Sequence, residues 1–372
     1  MNILYSCLSK GWGGLEMFTL TSIQQLLKRG IKVELICAEE SRIHIEANNL
    51  GIMLHPIKAS GYFHPVTAVR LALLLRQNDY SIVHTQASKD LWIIVPALFL
   101  ANSDIPLFLT KQVGSFIVKK DFLHNLLYKR IRKIFAISTV IKDNLLETTQ
   151  IKSKDVVILP NGIDIDRFDP DKIDDKKVRK EFKISDEEIV IGMLARFTRG
   201  KGHEEFLFAA KELSKEYFNL RFLIVGEPSR GESEYADKIK QLAEEYNLKN
   251  LIFTGFRGDT PEVIAAMDIF VFPSHSEAFG IALVEAMAMK KPSVCSNANG
   301  VLDISVDGKT AYLFENKNEV DLKEKLKLLI NSKVTRTKFG ENARKRVLEN
   351  FDIENITERV LRIYQEELDI AV

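Results

Sequence analysis

The sequence predicts an α/β fold built from two domains, each with a parallel sheet. Short apolar runs alternate with amphipathic helical stretches along almost the whole chain, which is typical of β-α units around a parallel sheet. The alternation pauses after Asn161-Gly162, in a charged segment, and then restarts. A length of 372 residues is enough for a buried core in each half. We therefore predict two Rossmann-like domains, 1–163 and 164–352, followed by a C-terminal helix over 353–372.

The first domain is predicted from apolar runs separated by helical stretches. Its predicted strands are Ile3–Cys7, Lys32–Cys37, Ile82–Thr85, Pro106–Thr110, Ile134–Ile137 and Val156–Leu159. Its predicted helices include Leu15–Arg29, Thr67–Gln77 and Phe122–Lys133.

The second domain repeats the pattern after the charged segment. Its predicted strands are Ile189–Ala195, Arg221–Val225, Leu251–Phe253, Ile269–Phe272 and Ser293–Cys295. Its predicted helices include Glu204–Tyr217, Tyr235–Tyr246, Ile281–Met289 and Leu322–Ile330. A final helix from about Ile353 to Asp369 could close this domain or pack back on the first, and the sequence leaves both open.

Composition excludes several classes of protein. An apolar share of 46% with a net charge of +1 excludes a disordered chain and gives no global indication of nucleic-acid binding. The charge is uneven, because residues 1–165 hold 19 Lys and Arg against 13 Asp and Glu, whereas the rest holds 33 against 38. A basic first half indicates an anionic partner for that half.

Cysteines and apolar runs bear on the compartment. Cys7, Cys37 and Cys295 are far apart and show neither metal-ligand spacing nor a disulfide framework, which favours a reducing compartment. The N-terminus does not resemble a signal peptide. The longest apolar run, Leu91 to Ala101, has eleven residues and is too short to span a bilayer. We expect a cytoplasmic protein that could contact the inner face of the membrane only peripherally.

Three loops at predicted strand ends carry candidate ligand-binding residues. The first follows the first strand and contains Gly11, Gly13 and Gly14 before a helix. Glycines let the backbone approach a ligand, and a helix N-terminus offers N–H groups to an anion. The spacing is not that of a dinucleotide-binding G-x-G-x-x-G loop. A tight turn into a packed helix explains the glycines equally well.

The second loop, 196–203, places Arg196, Arg199 and Lys201 after the strand Ile189–Ala195. Open α/β sheets bind ligands at the carboxyl ends of their strands. An arginine can hold a phosphate with two hydrogen bonds and a lysine adds a point charge. The loop therefore predicts an anion site, with a solvated basic turn as the alternative.

The third loop, 273–280, follows the strand Ile269–Phe272 and leads into a helix. Glu277 lies in the loop and Glu285 lies within the helix, near the same end. A carboxylate at the position of Glu285 can accept hydrogen bonds from both hydroxyls of a ribose. Acidic residues that merely stabilise the helix N-terminus are the alternative.

Together these residues resemble the retaining GT-B glycosyltransferases of the group 1, or family four, type. The resemblance rests on the E-x7-E spacing of Glu277 and Glu285, Gly13-Gly14-Leu15-Glu16, Arg196-x4-Lys201 and Asn161-Gly162-Ile163-Asp164. It covers the whole chain in the right order. This family builds bacterial lipopolysaccharide, capsule and glycolipids. The resemblance implies two facing Rossmann-like domains, with a nucleotide-sugar donor held by the second and the acceptor by the first.

The resemblance also assigns roles to single residues. Arg196 and Lys201 would bind the donor diphosphate and, with Glu277 at the donor sugar, form the catalytic set. Glu285 would bind the donor ribose. The remaining donor contacts would come from Gly13 and Gly14, from Gly226 and Phe256 beside the base, and from backbone N–H groups of Phe279, Gly280 and Ile281.

No metal or other cofactor is expected. Glycosyl transfer passes through an oxocarbenium-like state while a diphosphate leaves, and two cations with a helix N-terminus can stabilise that charge. Asp169-Pro170-Asp171 has the letters of a metal motif but falls in the polar linker. The sequence therefore predicts a metal-independent enzyme.

The acceptor side is less defined. Many relatives carry a histidine where this chain has Gln112, and His84 is another candidate for a sugar contact, with a hydrogen-bonded strand-end histidine as the alternative. Lys119 and Lys120 lie in an apolar and basic stretch, 114–133. That stretch suits an anionic lipid-linked saccharide or an anionic membrane surface, or else is a solvated loop and helix face.

The expected function is a glycosyltransferase that uses a nucleotide-sugar and a saccharide or lipid-linked acceptor in cell-envelope assembly. Two alternatives keep the fold. A GT-B-type sugar-nucleotide epimerase would need acid and base groups at the sugar and no acceptor. A non-catalytic sugar-nucleotide-binding partner would have no need of the sugar-facing Glu277.

Overall fold

A computed structural model describes residues 1–58, 61–228 and 231–369 of the chain, and these form two compact units. The first contains residues 1–162 and the C-terminal helix, and the second contains residues 163–352. Residues 370–372, the end of the predicted C-terminal segment, lie outside the described residues. Each unit is a parallel sheet whose strands are joined by helices, so the predicted α/β class with two Rossmann-like domains is confirmed.

The first unit contains seven strands: β1 Asn2–Cys7, β2 Lys32–Ala38, β3 Met53–Ile57, β4 Ile82–Thr85, β5 Leu107–Lys111, β6 Ile131–Ala136 and β7 Val156–Ile158. Its helices are α1 Gly14–Lys28, α2 Arg42–Asn49, α3 Pro65–Gln77, α4 Leu91–Ala101, α5 Phe122–Lys129, α6 Thr139–Thr148 and, at the C-terminus, α15 Ile353–Asp369, with a 3-10 turn at Ser153–Asp155. The strands pair in parallel in the order β3-β2-β1-β4-β5-β6-β7.

The second unit contains six strands: β8 Ile189–Leu194, β9 Leu220–Val225, β10 Leu251–Gly255, β11 Ile269–Phe272, β12 Ser293–Ser296 and β13 Ala311–Phe314. Its helices are α7 Lys176–Glu181, α8 His203–Ser214, α9 Ser233–Glu245, α10 Thr260–Ala265, α11 Ile281–Ala288, α12 Val301–Ile304, α13 Glu319–Ile330 and α14 Lys333–Asn350. The strands pair in parallel in the order β10-β9-β8-β11-β12-β13.

The two sheets share one topology. In each, the third, second and first strands of the unit lie side by side, and the fourth then pairs with the other edge of the first. The order therefore reverses between β1 and β4 in the first unit and between β8 and β11 in the second. Open α/β sheets bind ligands outside the carboxyl ends of the strands at such a reversal.

Helix α15 belongs to the first unit. Its Tyr364 is fully buried and packs with Tyr5, Phe108 and Phe135 in the core of that unit. Ile356 joins the same core. The sequence left open which domain the C-terminal helix completes, and the aromatic packing of Tyr364 explains its place.

The C-terminal boundary of α5 differs from the prediction. The sequence predicts a helix to Lys133, whereas α5 ends at Lys129 and β6 begins at Ile131. Residues 131–136 pair in parallel with β5, which removes them from the helix. Arg132 in β6 then forms an ion pair with Glu367 of α15, 2.5 Å between Nε and Oε2.

Cys7, Cys37 and Cys295 are free and buried. No helix in the described ranges combines the length and apolar character that crossing a bilayer requires.

Candidate active site

Two loops meet at the strand-order reversal of the second unit. The loop 195–202 follows β8 and the loop 273–280 follows β11. The backbone N–H of His275 donates to the carbonyl of Gly200 at 2.8 Å. Gly202 has φ +79°, and a Cβ there would lie 2.3 Å from the carbonyl oxygen of Pro273. Only glycine fits this contact, which holds the loops together at the carboxyl edge of the sheet.

The loop contact brings together two of the residues assigned by resemblance. The Lys201 ammonium donates to Oε1 of Glu277, forming an ion pair 76 residues apart in sequence. The Lys201 side chain is 24% exposed and that of Glu277 is 15% exposed, so the pair is accessible but largely removed from water. The pair presents a cation and a carboxylate at a position where a ligand can reach both.

Arg196 lies in the same loop as Lys201 and is exposed. Its guanidinium has no ion pair or hydrogen bond with any residue of the described ranges. Arg199 instead stacks over the ring of Tyr235, 5.8 Å from the centroid. Arg196 is therefore the guanidinium of this loop that remains available for an anion.

The N-terminus of α11 adds backbone donors. Gly280 is the N-cap residue of this eight-residue helix. Among the described residues, no acceptor pairs with the backbone N–H groups of Phe279, Gly280 and Ile281. The Phe279 side chain is buried against Phe351, with ring centroids 5.8 Å apart, so this residue offers only its backbone. Unpaired N–H groups at the positive end of a helix favour an anion.

Glu285 lies one turn into α11 and is partly exposed. Burial raises the pKa of its carboxyl to about 7, and the nearby charge of Arg167 acts in the opposite direction. No described residue donates a hydrogen bond to this carboxylate. A partly buried acceptor without a donor suits a ligand that carries hydroxyl groups.

Gly226 and Phe256 follow the two neighbouring strands, β9 and β10. A Cβ on Gly226 would lie 2.0 Å from the carbonyl oxygen of Ala195. The close approach of the backbone at Ala195 therefore requires glycine at this position, whether or not a ligand binds there. Phe256 is 72% exposed. Arg257 beside it is held by Glu181 and Asp259 at 2.5 to 2.9 Å. Phe256 thus presents an aromatic face at the carboxyl edge of the sheet.

Sequence reasoning missed one pair beside the site. Nε2 of His275, in the loop after β11, lies 2.6 Å from Oε1 of Glu205 in the first turn of α8. The other oxygen of Glu205 is buried without a partner in the described part of the chain. The residues are 70 positions apart, so no local spacing connects them. The acidic first turn of α8 was the only signal in the sequence.

The glycine loop of the first unit leads into α1 as predicted. Gly13 is the N-cap residue, and its N–H donates to Oε2 of the buried Glu16 at 2.8 Å. A Cβ on Gly14 would meet nothing within 4 Å. The hydrogen bond at Gly13 therefore explains the turn into the helix. No neighbouring atom fills the space beside Gly14.

Gln112 and His84 are both buried in the first unit. The Gln112 side-chain amide exchanges two hydrogen bonds with that of Asn161, at 2.9 and 3.2 Å. His84 contacts the Tyr364 hydroxyl through Nδ1 and Thr110 Oγ1, at 2.8 Å, through Nε2. Burial lowers the pKa of His84 to about 3. These contacts favour the alternative for His84, a hydrogen-bonded histidine near a strand end, over a sugar contact, because both ring nitrogens have partners within the core.

Lys119 and Lys120 lie in the loop between β5 and α5, where Lys119 is half-buried and Lys120 is exposed. The apolar side chains of this stretch point outward, and the most exposed of them are Phe116, Ile117, Val118 and Phe122. We call Phe116, Ile117, Val118, Lys120 and Phe122 the apolar-basic patch. Farther along, Arg130 is bound to the carbonyls of Ser103 and Ile105, so it is not a free cation.

Carboxylates do not gather into a metal site in the described ranges, where no group of three or more potential ligands is found. Asp169 and Asp171 lie on the surface as the sequence predicts, and each pairs with a lysine, Lys172 and Lys290 respectively.

Two family models match the chain, one for each unit. The model described as "Glycosyl transferases group 1" matches residues 174–346, and that described as "Glycosyltransferase Family 4" matches residues 12–167. A capsular polysaccharide biosynthesis glycosyltransferase of Staphylococcus aureus is 25% identical over 92% of both chains. A transferase of Campylobacter jejuni that adds N-acetylgalactosamine to N,N'-diacetylbacillosaminyl-diphospho-undecaprenol is 26% identical over 79% of both chains.

Solved structures of glycosyltransferases share the fold. A glycosyltransferase from Rickettsia africae superposes with a TM-score of 0.89, at 24% identity over 98% of both chains. The Anabaena protein HepE, solved in complex with UDP, has a TM-score of 0.88 at 20% identity, over 98% of this chain and all of that one. These likenesses establish the fold, and the family models identify each unit. The chain is a group 1 glycosyltransferase of the GT-B fold.

Proposed function

We propose that this enzyme is a retaining transferase that moves a sugar from a nucleotide-diphosphate sugar to a saccharide or lipid-linked saccharide acceptor. The proposal rests on the charged groups at the carboxyl edge of the second sheet. There the free Arg196 guanidinium, the Lys201–Glu277 pair and unpaired N–H groups of α11 lie in two touching loops. Fixed positive charge next to a carboxylate suits a diphosphate bound next to a sugar.

The charges of this edge define the roles of its residues. The Arg196 guanidinium, the Lys201 ammonium and the N–H groups at Gly280 and Ile281 would stabilise the negative charge that grows on the leaving diphosphate. The residues are held in place before reaction, so little reorganisation is needed as charge develops. Glu277 orients Lys201 and would accept a hydrogen bond from the donor sugar. These fixed charges make a metal ion unnecessary, and we propose that the enzyme works without one.

Retention follows if the acceptor attacks from the side that the diphosphate leaves. The bond between the anomeric carbon and the diphosphate oxygen breaks, and a bond to the acceptor oxygen forms. The acceptor proton passes to the departing phosphate oxygen. Such a step needs no histidine base, which fits the burial of His84 and the presence of Gln112 at the position where many relatives have histidine.

The relatives support the substrate classes. The Anabaena structure was solved with UDP, and the Campylobacter enzyme acts on a diphospho-undecaprenol-linked sugar. The Staphylococcus relative acts in capsule synthesis. Family membership favours transfer over the epimerase and the non-catalytic alternatives, and homologues act in cell-surface polysaccharide synthesis.

A thermal-shift screen with UDP-, GDP-, ADP- and CMP-sugars tests the donor, and CMP-sugars are a built-in control because they lack the diphosphate. We expect one diphosphate sugar to stabilise the enzyme. In the matching transfer assay, Glu277→Ala should lower turnover more than donor binding, because the sugar contact matters most as charge develops. Unchanged kinetics would remove Glu277 from the site. Loss of turnover in EDTA with recovery in Mg²⁺ would contradict a metal-independent reaction.

We also propose that the apolar-basic patch binds an anionic membrane surface peripherally. Phe116 and Phe122 are fully or largely exposed, and Lys120 lies between them in sequence. Apolar insertion with lysine attraction is the usual basis of such binding. Sedimentation with vesicles tests it: wild-type enzyme should bind anionic more than neutral vesicles, and Phe116→Ser with Phe122→Ser should bind neither. Equal binding to both vesicle types would contradict the proposal.

A further inference from the structure

The carboxyl edge of the first unit contains a buried lysine that the mechanism above does not use. Lys111 is the last residue of β5 and is 7% exposed. Its ammonium donates to Ser88 Oγ at 3.0 Å, in the loop that follows β4. Within the described part of the chain, no carboxylate pairs with Lys111. A buried cation without a counter-ion is costly, so a ligand that supplies the missing charge would stabilise it.

A second cation lies near Lys111. Lys119, in the loop after β5, is half-buried, and burial lowers its pKa. Burial, together with the charge of Lys119, lowers the pKa of Lys111 to about 8. Lys119 also lacks a carboxylate partner among the described residues. The two ammonium groups therefore repel each other in the empty protein.

The neighbouring polar groups are mostly donors. The Tyr128 hydroxyl is buried beside the Ser88 hydroxyl, and the two are too far apart or too poorly aligned for a regular hydrogen bond. The carboxylate of the same loop, Asp90, accepts from Ser6 Oγ and from the N–H of Leu8, both at 3.2 Å. The nearest acid is thus engaged by β1 and the residue after it. What remains is two cations and two hydroxyls with no strong acceptor.

We propose that Lys111 and Lys119 bind a phosphate group of the acceptor substrate. The Ser88 and Tyr128 hydroxyls would donate to its remaining oxygens. The site lies at the carboxyl ends of β4 and β5, where sheets of this topology bind ligands. Two cations match the charge of a phosphate better than that of a single carboxylate. The assignment of the phosphate to the acceptor rests on the proposed function, whereas the phosphate site itself does not.

Calorimetric titration of the full chain with geranyl diphosphate, a water-soluble prenyl diphosphate, tests the site. All proteins carry Arg196→Ala and Lys201→Met, so that the second unit does not bind the probe. Lys111→Met and Lys119→Met should each weaken binding at least tenfold. Lys32→Met is the matched control, because Lys32 is exposed at the opposite, amino-terminal edge of the sheet, and it should change the Kd less than twofold.

Competition with inorganic phosphate shows whether the protein recognises the diphosphate of the probe or its prenyl chain. Phosphate that competes with geranyl diphosphate, and loses this ability in Lys111→Met, supports a phosphate site. Failure to compete would overturn the assignment, because binding would then come from the prenyl chain. Equal Kd values for Lys111→Met and Lys32→Met would also overturn it.

Thermal unfolding gives an independent test, because removing Lys111 should raise the melting temperature of the ligand-free protein but abolish the stabilisation by the ligand. All proteins again carry Arg196→Ala and Lys201→Met. Without ligand, adding Lys111→Met should raise the melting temperature, because methionine fills similar space without an unpaired charge. With geranyl diphosphate, the protein that keeps Lys111 should gain stability and the Lys111→Met variant should not. A lower melting temperature of ligand-free Lys111→Met would show that the protein itself stabilises the charge, and the proposal would fail.

The two proposals can fail separately. If no nucleotide-sugar stabilises the enzyme but Lys111-dependent phosphate binding persists, the donor chemistry is wrong and the phosphate site stands. If a nucleotide-sugar stabilises wild type and Lys111→Met equally, and the Kd of geranyl diphosphate does not depend on Lys111, only the phosphate site is wrong.

Discussion

The two units have the same strand order but use the reversal in that order differently. In the second unit, the loops after β8 and β11 expose Arg196 and leave the Lys201–Glu277 pair partly accessible. In the first unit, the side chains at the ends of β1 and β4 are turned inward, where Ser6 donates to Asp90 and His84 contacts Tyr364. Shared topology therefore fixes where a ligand can bind, while side-chain packing decides whether the edge is left open.

Each edge also contains a lysine that we assign to a phosphate, Lys201 in the second unit and Lys111 in the first, and the two lysines differ in their partners. Lys201 is paired with a carboxylate, whereas Lys111 has only a serine hydroxyl. The carboxylate of Glu277 fixes the position of the Lys201 ammonium. The Lys111 ammonium has no counter-ion until an anionic ligand binds. This difference is consistent with a reacting diphosphate in the second unit and a bound, non-reacting phosphate in the first.

The largest effect that tests this contrast is expected at Lys201. Lys201→Met should lower the transfer rate by about 10²- to 10³-fold, the usual loss when one preorganised donor to a developing charge is removed. Initial rates with saturating acceptor measure it. Lys215→Met, which removes an exposed lysine paired with Glu212 in the same unit, is the control. A loss below threefold would mean that Lys201 is not at the diphosphate.

A smaller effect, on stability rather than rate, is expected at Tyr364. Its hydroxyl contacts His84 and lies 3.3 Å from that of Tyr5. Tyr364→Phe should lower the free energy of unfolding by about 1–3 kcal/mol, because a buried nitrogen of His84 loses its partner. Donor binding should be unchanged. Denaturant unfolding measures the stability, and Tyr312→Phe, whose hydroxyl has no hydrogen bond in the described chain, is the control.

The opposite outcome at Tyr364 would change the interpretation of the first unit. If Tyr364→Phe keeps its stability but loses transfer activity with the acceptor, His84 acts on the substrate and not only in the core. The inward-facing character of the first edge would then be wrong.

Strands at the sheet centres could be predicted from the sequence, and peripheral elements could not. The predicted bounds of Ile82–Thr85 and Ile269–Phe272 match β4 and β11, because central parallel strands are continuous apolar runs. The edge strand β3 was missed because it contains a histidine and Pro56. Helix α14 was missed because only four of its eighteen residues are buried, which leaves a weak apolar period.

The candidate site could be predicted only in part, for a related reason. Local sequence placed Arg196 and Glu277 at strand ends, and the structure brings Lys201 to Glu277. His84 is the last residue but one of β4, and nothing in the neighbouring sequence shows that its ring turns into the core. Glu205 and His275 are joined only by tertiary packing. Chain position identifies the edge of a sheet, but the direction of a side chain at that edge depends on distant residues.

Glu285 gives the smallest expected effect and the finest test of the comparison. Both units hold a carboxyl whose pKa burial raises to about 7, Asp90 and Glu285. Asp90 already accepts hydrogen bonds from its own unit, whereas Glu285 has no donor in the described chain. Glu285 is therefore the one that a ligand hydroxyl should reach.

The raised pKa of Glu285 determines how the affinity for the donor changes with pH. The empty protein holds the proton on Glu285 up to about pH 7, whereas ribose hydroxyls that donate to it favour the carboxylate. Donor binding should therefore release a proton, and the affinity should rise by up to about tenfold between pH 6 and pH 8, then level off. Calorimetry with the nucleotide-sugar found by the screen measures this, since its diphosphate does not titrate there. Glu285→Gln should bind with little pH dependence, whereas parallel curves for the two proteins would place the ribose away from Glu285.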